Sequence, residues 1–220
     1  MVELKTNKNL KEINNEIASR NNKLFQEKKV FVVNLMSSPG AGKTSLLENT
    51  LGMIKNKFNL GVIEGDLQTS KDAERIEKLD VPVFQINTHG GCHLDARMIE
   101  KSLQHFELDK LDCLFIENVG NLVCPAGFNL GEHKKVVLLS TPEGVDKPAK
   151  YPKIFRQADI VIINKKDIAQ YCDFDISLAE EDIKKIKPNI PIHYMSCREK
   201  TGIEPWIEWI REQIMNVGAV

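Results

Sequence analysis

The residues best suited to chemistry in this chain form a short loop, Ser38-Pro39-Gly40-Ala41-Gly42-Lys43-Thr44-Ser45, which follows the apolar run Phe31-Val32-Val33-Asn34-Leu35 and opens an amphipathic stretch. Strand, glycine loop and helix start make a phosphate cradle. Gly40 and Gly42 let the backbone wrap close to an anion, successive N–H groups and the helix N-terminus point at it, Lys43 reaches the outer phosphates, and the Thr44 hydroxyl suits Mg²⁺. One position departs from the usual P-loop pattern: Ser37 stands where the motif carries its first glycine. An ordinary glycine-rich strand-to-helix turn is the bland alternative.

A second constellation chooses the base. Asn164-Lys165-Lys166-Asp167 ends the apolar run Ile160-Val161-Ile162-Ile163. Guanine presents adjacent N–H donors that one carboxylate, Asp167, accepts together, whereas adenine would turn an acceptor toward the same charge. Asn164 is expected to hold the loop and the Lys165 stem to lie over the ring. Ser196, in the turn after a later strand, is placed to close over the base. Alone, such a tetrapeptide also occurs as a polar surface turn; with a P-loop upstream it specifies GTP and GDP as ligands.

Acids at strand ends supply the rest of a hydrolytic site. Leu60-Gly61-Val62-Ile63-Glu64-Gly65-Asp66 delivers Asp66, and Leu111-Asp112-Cys113-Leu114-Phe115-Ile116-Glu117 delivers Glu117 ahead of Asn118-Val119-Gly120. Mg²⁺ is a hard cation that takes oxygen, so Thr44 is a direct ligand, with Asp66 or Glu117 bound directly or through water. Lys43, Asp66, Glu117 and Gly120 are the residues on which hydrolysis would rest, Gly120 sensing the γ-phosphate. Glu117 replaces the more usual Asp, and its longer arm leaves direct Mg²⁺ contact open. Asn121 stands where some GTPases carry a water-positioning glutamine, which predicts slow intrinsic turnover and a switch rather than a metabolic catalyst.

A third group is sulfur and imidazole. Cys92 and His93 follow Gly90-Gly91, and Cys124 comes just after Gly120. Thiolate plus imidazole suits Ni²⁺ or Zn²⁺ far better than Mg²⁺. The competing reading is a small buried cysteine and a hydrogen-bonded histidine. His89 is close enough in sequence to be an extra ligand, and Cys113 reads as core.

These residues need a scaffold, and the pattern around them supplies one. Apolar strands at 31–35, 60–66, 81–86, 111–117, 136–140, 159–164 and 190–196 alternate with helical stretches, among them 71–78, one starting near Leu94, and 204–215. This predicts an α/β P-loop NTPase fold: a mostly parallel β-sheet flanked by helices on both faces. An amphipathic N-terminal helix is expected from about Asn9, capped by Asn9 with Glu12, to Lys28. Its apolar face is Leu10, Ile13, Ile17 and Leu24, used either to pack on its own domain or to dock a partner. The division implied is a helical extension over 1–28 and a nucleotide-binding domain over 29–220.

Composition narrows the partners. With 30 Lys plus Arg against 31 Asp plus Glu, the net charge of -1 gives no reason to expect nucleic acid or an anionic membrane. No apolar run reaches the length of a membrane span, the first residues lack a secretory signal core, and five scattered cysteines argue against a disulfide framework. The expectation is a cytoplasmic protein.

Taken together, Ser38 to Thr44, Glu64-Gly65-Asp66, Cys92-His93, Glu117 to Pro125, Asp146-Lys147-Pro148 with Lys150-Tyr151-Pro152, and Asn164 to Asp167 resemble the HypB family, the nickel-insertion GTPases of [NiFe] hydrogenase maturation. The resemblance runs from Val30 to Ile214. It implies a GTPase that forms a homodimer when GTP is bound. It further implies Ni²⁺ or Zn²⁺ held by Cys92, His93 and Cys124 at the dimer interface, and nickel delivery to the hydrogenase large subunit with the metallochaperone HypA. Whether urease maturation proteins are served as well stays open. The segment 146–152 resembles a region linked in that family to the dimer face. Relatives with an N-terminal cysteine motif or a histidine-rich tract differ from this chain, which has no cysteine before Cys92 and no histidine before His89. Tight N-terminal nickel storage is therefore not expected, and the N-terminal helix is a candidate contact for HypA. Of the alternatives, a urease-maturation GTPase would carry histidine after Cys124-Pro125, where this chain has Ala126. A metal-storage protein with a structural nucleotide site, and an ATP-dependent kinase, complete the field; Asp167 argues against the kinase.

Overall fold

The computed structural model describes residues 6–66 and 71–218, with side chains described over 10–66 and 72–218. Seven strands make one sheet: β1 Phe31–Ser37, β2 Leu60–Asp66, β3 Val83–Asn87, β4 Cys113–Glu117, β5 Lys134–Ser140, β6 Ile160–Asn164 and β7 Ile192–Tyr194. Their order is β3-β2-β4-β1-β5-β6-β7, and every pairing is parallel. The helices are α1 Thr6–Glu27, α2 Lys43–Ile54, α3 Lys71–Glu77, α4 Ala96–Ser102, α5 Lys147–Lys150, α6 Pro152–Gln157, α7 Ile176–Ile186 and α8 Glu204–Gly218.

Both faces of the sheet are covered, which is why its central strands read as unbroken apolar runs. Along β1 the side chains alternate between two cores. Val33 and Leu35 join Leu46, Leu51, Trp206 and Ile210 under α2 and α8. On the other face Val32 packs with Phe25, Leu94 and Ile99 under α1 and α4, and Met36 with Phe155 and Ile183 under α6 and α7. The chain moves to opposite sides of β1 through β4 and β5, so the crevice beyond the carboxyl end of β1 is the ligand position this topology offers.

Several boundaries differ from expectation for local reasons. Strand β3 starts at Val83, because Pro82 has no N–H for the ladder and contributes only its carbonyl, to Val62 N at 2.9 Å. Likewise β7 starts after Pro191, and β4 begins at Cys113. Helix α4 begins at Ala96, where the Asp95 carboxylate accepts from Met98 N at 2.8 Å. Helix α1 begins at Thr6, so Asn9 and Glu12 lie inside it and do not cap it.

The inward face of α1 also differs. Leu10 stays 64% exposed, whereas Asn14, Ile17, Ala18, Asn21 and Phe25 are buried. Three amides do the fastening. Asn14 donates to Asn129 O and accepts from Ala96 N, both at 2.9 Å. Asn21 donates to Ala96 O and Leu130 O, and Asn22 to Gly131 O. Of the two uses open to this helix, packing on its own domain is the one these contacts carry.

Candidate functional site

The loop between β1 and α2 takes the backbone its glycines allow. Gly40 and Gly42 sit at φ +74° and +104°, and Gly42 is the residue just before α2. A Cβ on Gly42 would lie 2.4 Å from Asn164 Nδ2, so this position needs glycine for space as well as for conformation. Ser37, the departure from the motif, has a use: its hydroxyl accepts from Lys43 Nζ at 3.1 Å and donates to Ser38 O at 2.6 Å. The lysine is thus held in the loop it serves.

The loop opens on a cleft of about 510 Å³ lined by Pro39, Lys43, Thr44, Asp66, Glu117 and Gly120, together with Glu64, Asp72, Arg75 and Lys165. Glu117 reaches the loop despite the doubt over its length, accepting from the Thr44 hydroxyl at 2.9 Å. It is buried, which pushes its carboxyl up to about 7 against the pull of Lys43 and Thr44. Glu64 was not singled out by the sequence reading, yet it lies beside Glu117 in the β2–β4 register. Burial, with the Glu117 and Asp66 charges adding to it, raises Glu64 to about 8.

Carboxylate oxygens of Glu64, Asp72 and Glu117 come within 4.8 Å of one another, and one oxygen each of Glu64 and Glu117 is buried with no hydrogen-bond partner. Buried, unpartnered acceptors converging on a threonine hydroxyl are a donor set that fits a hard divalent cation. Arg75 borders this group, bonded to Glu48 at 2.5 and 3.0 Å, to Asp72 at 3.0 Å and to Ser45 Oγ at 3.2 Å.

Adjoining the cleft at Gly42, Ser45 and Lys165, a pocket of about 430 Å³ is lined also by Asn49, Asn164, Cys197, Arg198 and Lys200. Asn164 ties its walls together, donating to Ala41 O at 2.9 Å and accepting from Cys197 N at 3.1 Å. Lys165, at φ +60°, donates to Gly40 O at 2.7 Å. Asp167 keeps one buried carboxylate oxygen without a partner, and burial together with the Asp167 charge pushes the Cys197 thiol up to about 11. Ser196 is buried; its backbone pairs with Thr201 in both directions and its hydroxyl accepts from Glu199 N, so it shapes the turn over this pocket.

The sulfur and imidazole group also assembles. The ligand atoms of Cys92, His93 and Cys124 lie within 4.8 Å of one another, with Cys92 Sγ 3.5 Å from His93 Nδ1. A hydrogen bond with the Cys92 thiol, then burial, raises the Cys124 thiol, while burial lowers the His93 imidazole and favours its neutral, metal-ready form. The His93 ring stacks on Phe128 with centroids 3.8 Å apart. His89 is exposed and outside the cluster, and Cys113 is fully buried in the core.

The two sites share one segment. Between Glu117 in the cleft and Cys124 in the cluster stands Gly120, whose added Cβ would lie 2.8 Å from Pro39 Cα and 2.9 Å from Pro39 N. Asn118 accepts from Leu94 N at 3.2 Å, next to His93, and donates to Asn34 Oδ1. Asn121 accepts from Val123 N at 2.7 Å and Cys124 N at 3.1 Å. Sequence reasoning missed Glu64, Asp72, Arg75 and Asn118. An acid inside an apolar strand was the available signal for Glu64; the others appear only once strands and loops are paired.

Residues 31–194 match the family described as "CobW/HypB/UreG, nucleotide-binding domain". The hydrogenase maturation factor HypB of Escherichia coli (strain K12) is 46% identical over 200 residues, spanning 91% of this chain and 69% of that protein. Among solved structures, HypB from Helicobacter pylori in complex with nickel has a TM-score of 0.87 at 43% identity, covering 92% of this chain and 95% of that one. The hydrogenase maturation factor HypB from Archaeoglobus fulgidus also has a TM-score of 0.87, at 37% identity, covering 92% and 99%.

Proposed function

The chain belongs to the CobW/HypB/UreG family and, within it, to the HypB hydrogenase maturation factors; from that premise we propose that it is a GTP-hydrolysing nickel chaperone. In this reading nucleotide state sets its grip on nickel. One observation carries the coupling: Gly120 touches the phosphate loop at Pro39 and, four residues on in the same segment, Cys124 stands among the thiol and imidazole ligands.

Residues 29–220 form the nucleotide-binding unit and 1–28 its helical extension. Ser38, Pro39, Gly40, Ala41, Gly42, Lys43, Thr44 and Ser45 wrap the phosphates, Lys43 countering the charge that builds on the outer oxygens. Asn164, Lys165, Asp167 and Ser196 form the guanine pocket, where the unpartnered Asp167 oxygen supports recognition of the base's N–H donors. Thr44, Glu117 and Asp66 would hold Mg²⁺, with Glu64 beside them. When bound, that ion neutralises phosphate charge. Asp66 and Glu117 line the same cleft, and Gly120, close against Pro39, would sense the γ-phosphate. The Asn121 carbonyl oxygen is engaged by two backbone N–H groups and the residue does not line the cleft, which supports slow turnover.

Nickel, or zinc in its place, is the cargo, bound by Cys92, His93 and Cys124. Three ligands leave a site open, and a second copy meeting this face on GTP binding supplies a matching set. HypA and the hydrogenase large subunit are the partners this reading assigns, in the cytoplasm. Among the described residues no helix is long and apolar enough to cross a membrane.

Light scattering with GDP and with a non-hydrolysable GTP analogue tests the switch. The expected result is doubling of the mass with the analogue alone. One mass in both states would favour storage, in which nucleotide stabilises the fold by mass action and does nothing more.

A further inference from the structure

The segment joining the two sites has an anchored neighbour and a tether. The Cys92–His93 arm is the anchored side. Leu94, the next residue, is fully buried and wedged against β2, where a Cβ added to Gly65 would come within 2.8 Å of its side chain. Its N–H is held by Asn118, which is itself fixed through Asn34 Oδ1 at 3.2 Å, while Asn34 donates to the buried Glu132 at 3.0 Å. That chain of bonds passes through β1 at Asn34, so the arm is tied to the core.

Cys124 is attached differently. It is four residues from Gly120, the residue in contact with the phosphate loop, and the link between them is closed by one side chain. Asn121 turns its side-chain carbonyl oxygen onto the N–H groups of Val123 and Cys124, at 2.7 and 3.1 Å, and among the described contacts Cys124 N has no backbone acceptor. An Asx turn of this kind ties the four residues from Asn121 to Cys124 into one local unit. Gly120 lines the nucleotide cleft, whereas Asn121 does not.

We propose that Asn121 is the positioning residue that carries a displacement of Gly120 to Cys124, so that Cys124 moves against an anchored Cys92–His93 pair and sets nickel affinity according to the nucleotide bound. This rests on the reading of the chain as a nucleotide-gated nickel binder and adds to it which ligand moves and which side chain moves it. Where other GTPases use this position to orient water, this chain uses it to couple two sites. The coupling needs only that the two nucleotide states hold Gly120 differently against Pro39.

The test is a nickel competition titration of the full chain loaded with GDP or with a non-hydrolysable GTP analogue, on wild type, Asn121→Ala and Asn121→Asp. Wild type should show affinities differing by about 10-fold or more between the two states. In Asn121→Ala the two should converge to within about 2-fold with nucleotide affinity retained, because a coupling element lost between sites removes the difference and spares each site. Asn121→Asp keeps an acceptor for both N–H groups and should restore the difference. Wild-type coupling that survives in Asn121→Ala overturns the inference and leaves the switch intact. Loss of nickel binding in both states of Asn121→Ala also overturns it, since the role is then merely structural. A wild type with no difference between states sinks the switch and the inference together.

Discussion

The nucleotide cleft and the thiol cluster are built from one chain segment but in opposite ways. The cleft is carried by strand ends and a helix start in the buried core: Lys43, Thr44, Glu64 and Glu117 are all under 9% exposed. The cluster is carried by loops, its three ligands are half-buried, and Val123 beside it is 60% exposed. Buried polar atoms demand partners, which the cleft leaves missing at Glu64 and Glu117 and the base-side loop at Asp167, so the two are poised to gain from a cation and a base. The cluster bears less desolvation cost and can accept and surrender an ion at the surface. On the proposed function, the site for nucleotide and the site for cargo are thus given different depths.

Separate damage to each site sharpens the contrast. Cys92→Ala removes one of three ligands and should lower nickel affinity more than about 100-fold, above the 10–100-fold typical of losing only an outer support. Equilibrium dialysis reads the loss, and an unchanged affinity would remove Cys92 from the site. Asp167→Asn exchanges the acceptor for a group carrying a donor. Losing charge-assisted bonds worth about 1.5–3 kcal/mol should weaken GDP by roughly 10- to 100-fold and favour xanthosine diphosphate, whose base offers a carbonyl in place of the amine. Fluorescent nucleotide displacement measures both.

The acid pair gives a prediction in pH. The folded chain raises Glu117 to about 7 and Glu64 to about 8, both above the ordinary 4.5, so it holds protons that the unfolded chain has released. Stability of the nucleotide-free protein is therefore greatest in acid within this window and declines as pH rises from about 4.5 through 7 to 8. Thermal unfolding without Mg²⁺ should show a falling Tm over that range and a flatter profile in Glu64→Gln; a Tm that rises would reverse the assignment. The smallest effect belongs to the cluster's support: Phe128→Ala removes the ring under His93, a stacking contact and not a hydrogen bond, and should cost a few-fold in nickel affinity, below the roughly 10–100-fold of a hydrogen-bonded outer support.

What was legible in the sequence was what lies contiguous in it. Ser38 to Ser45 and Asn164 to Asp167 are single loops whose chemistry is local, and the apolar runs before them announced a buried parallel sheet. Cys92, His93 and Cys124 were recognised by residue type, and the fold brings their ligand atoms within 4.8 Å. Glu64 was passed over for Asp66 because its importance comes from the β2–β4 register, which sets it beside Glu117. Asn118 does not stand out in the sequence, since its partner Leu94 N reaches it only through tertiary structure, and Asn121 reads there as the residue at the water-positioning place rather than as the acceptor for Val123 N and Cys124 N. The face of α1 was misread for a related reason: hydrophobic periodicity cannot see that Asn14 and Asn21 turn inward to satisfy backbone groups of other segments.

Calorimetric titration of nickel into the wild-type chain, with GDP and then a non-hydrolysable GTP analogue in the cleft, tests the central claim most directly. The contact of Gly120 with Pro39 and its tie to Cys124 predict affinities that differ by about 10-fold or more between the two states. Equal affinities would mean that the two sites, though four residues apart along one segment, do not communicate.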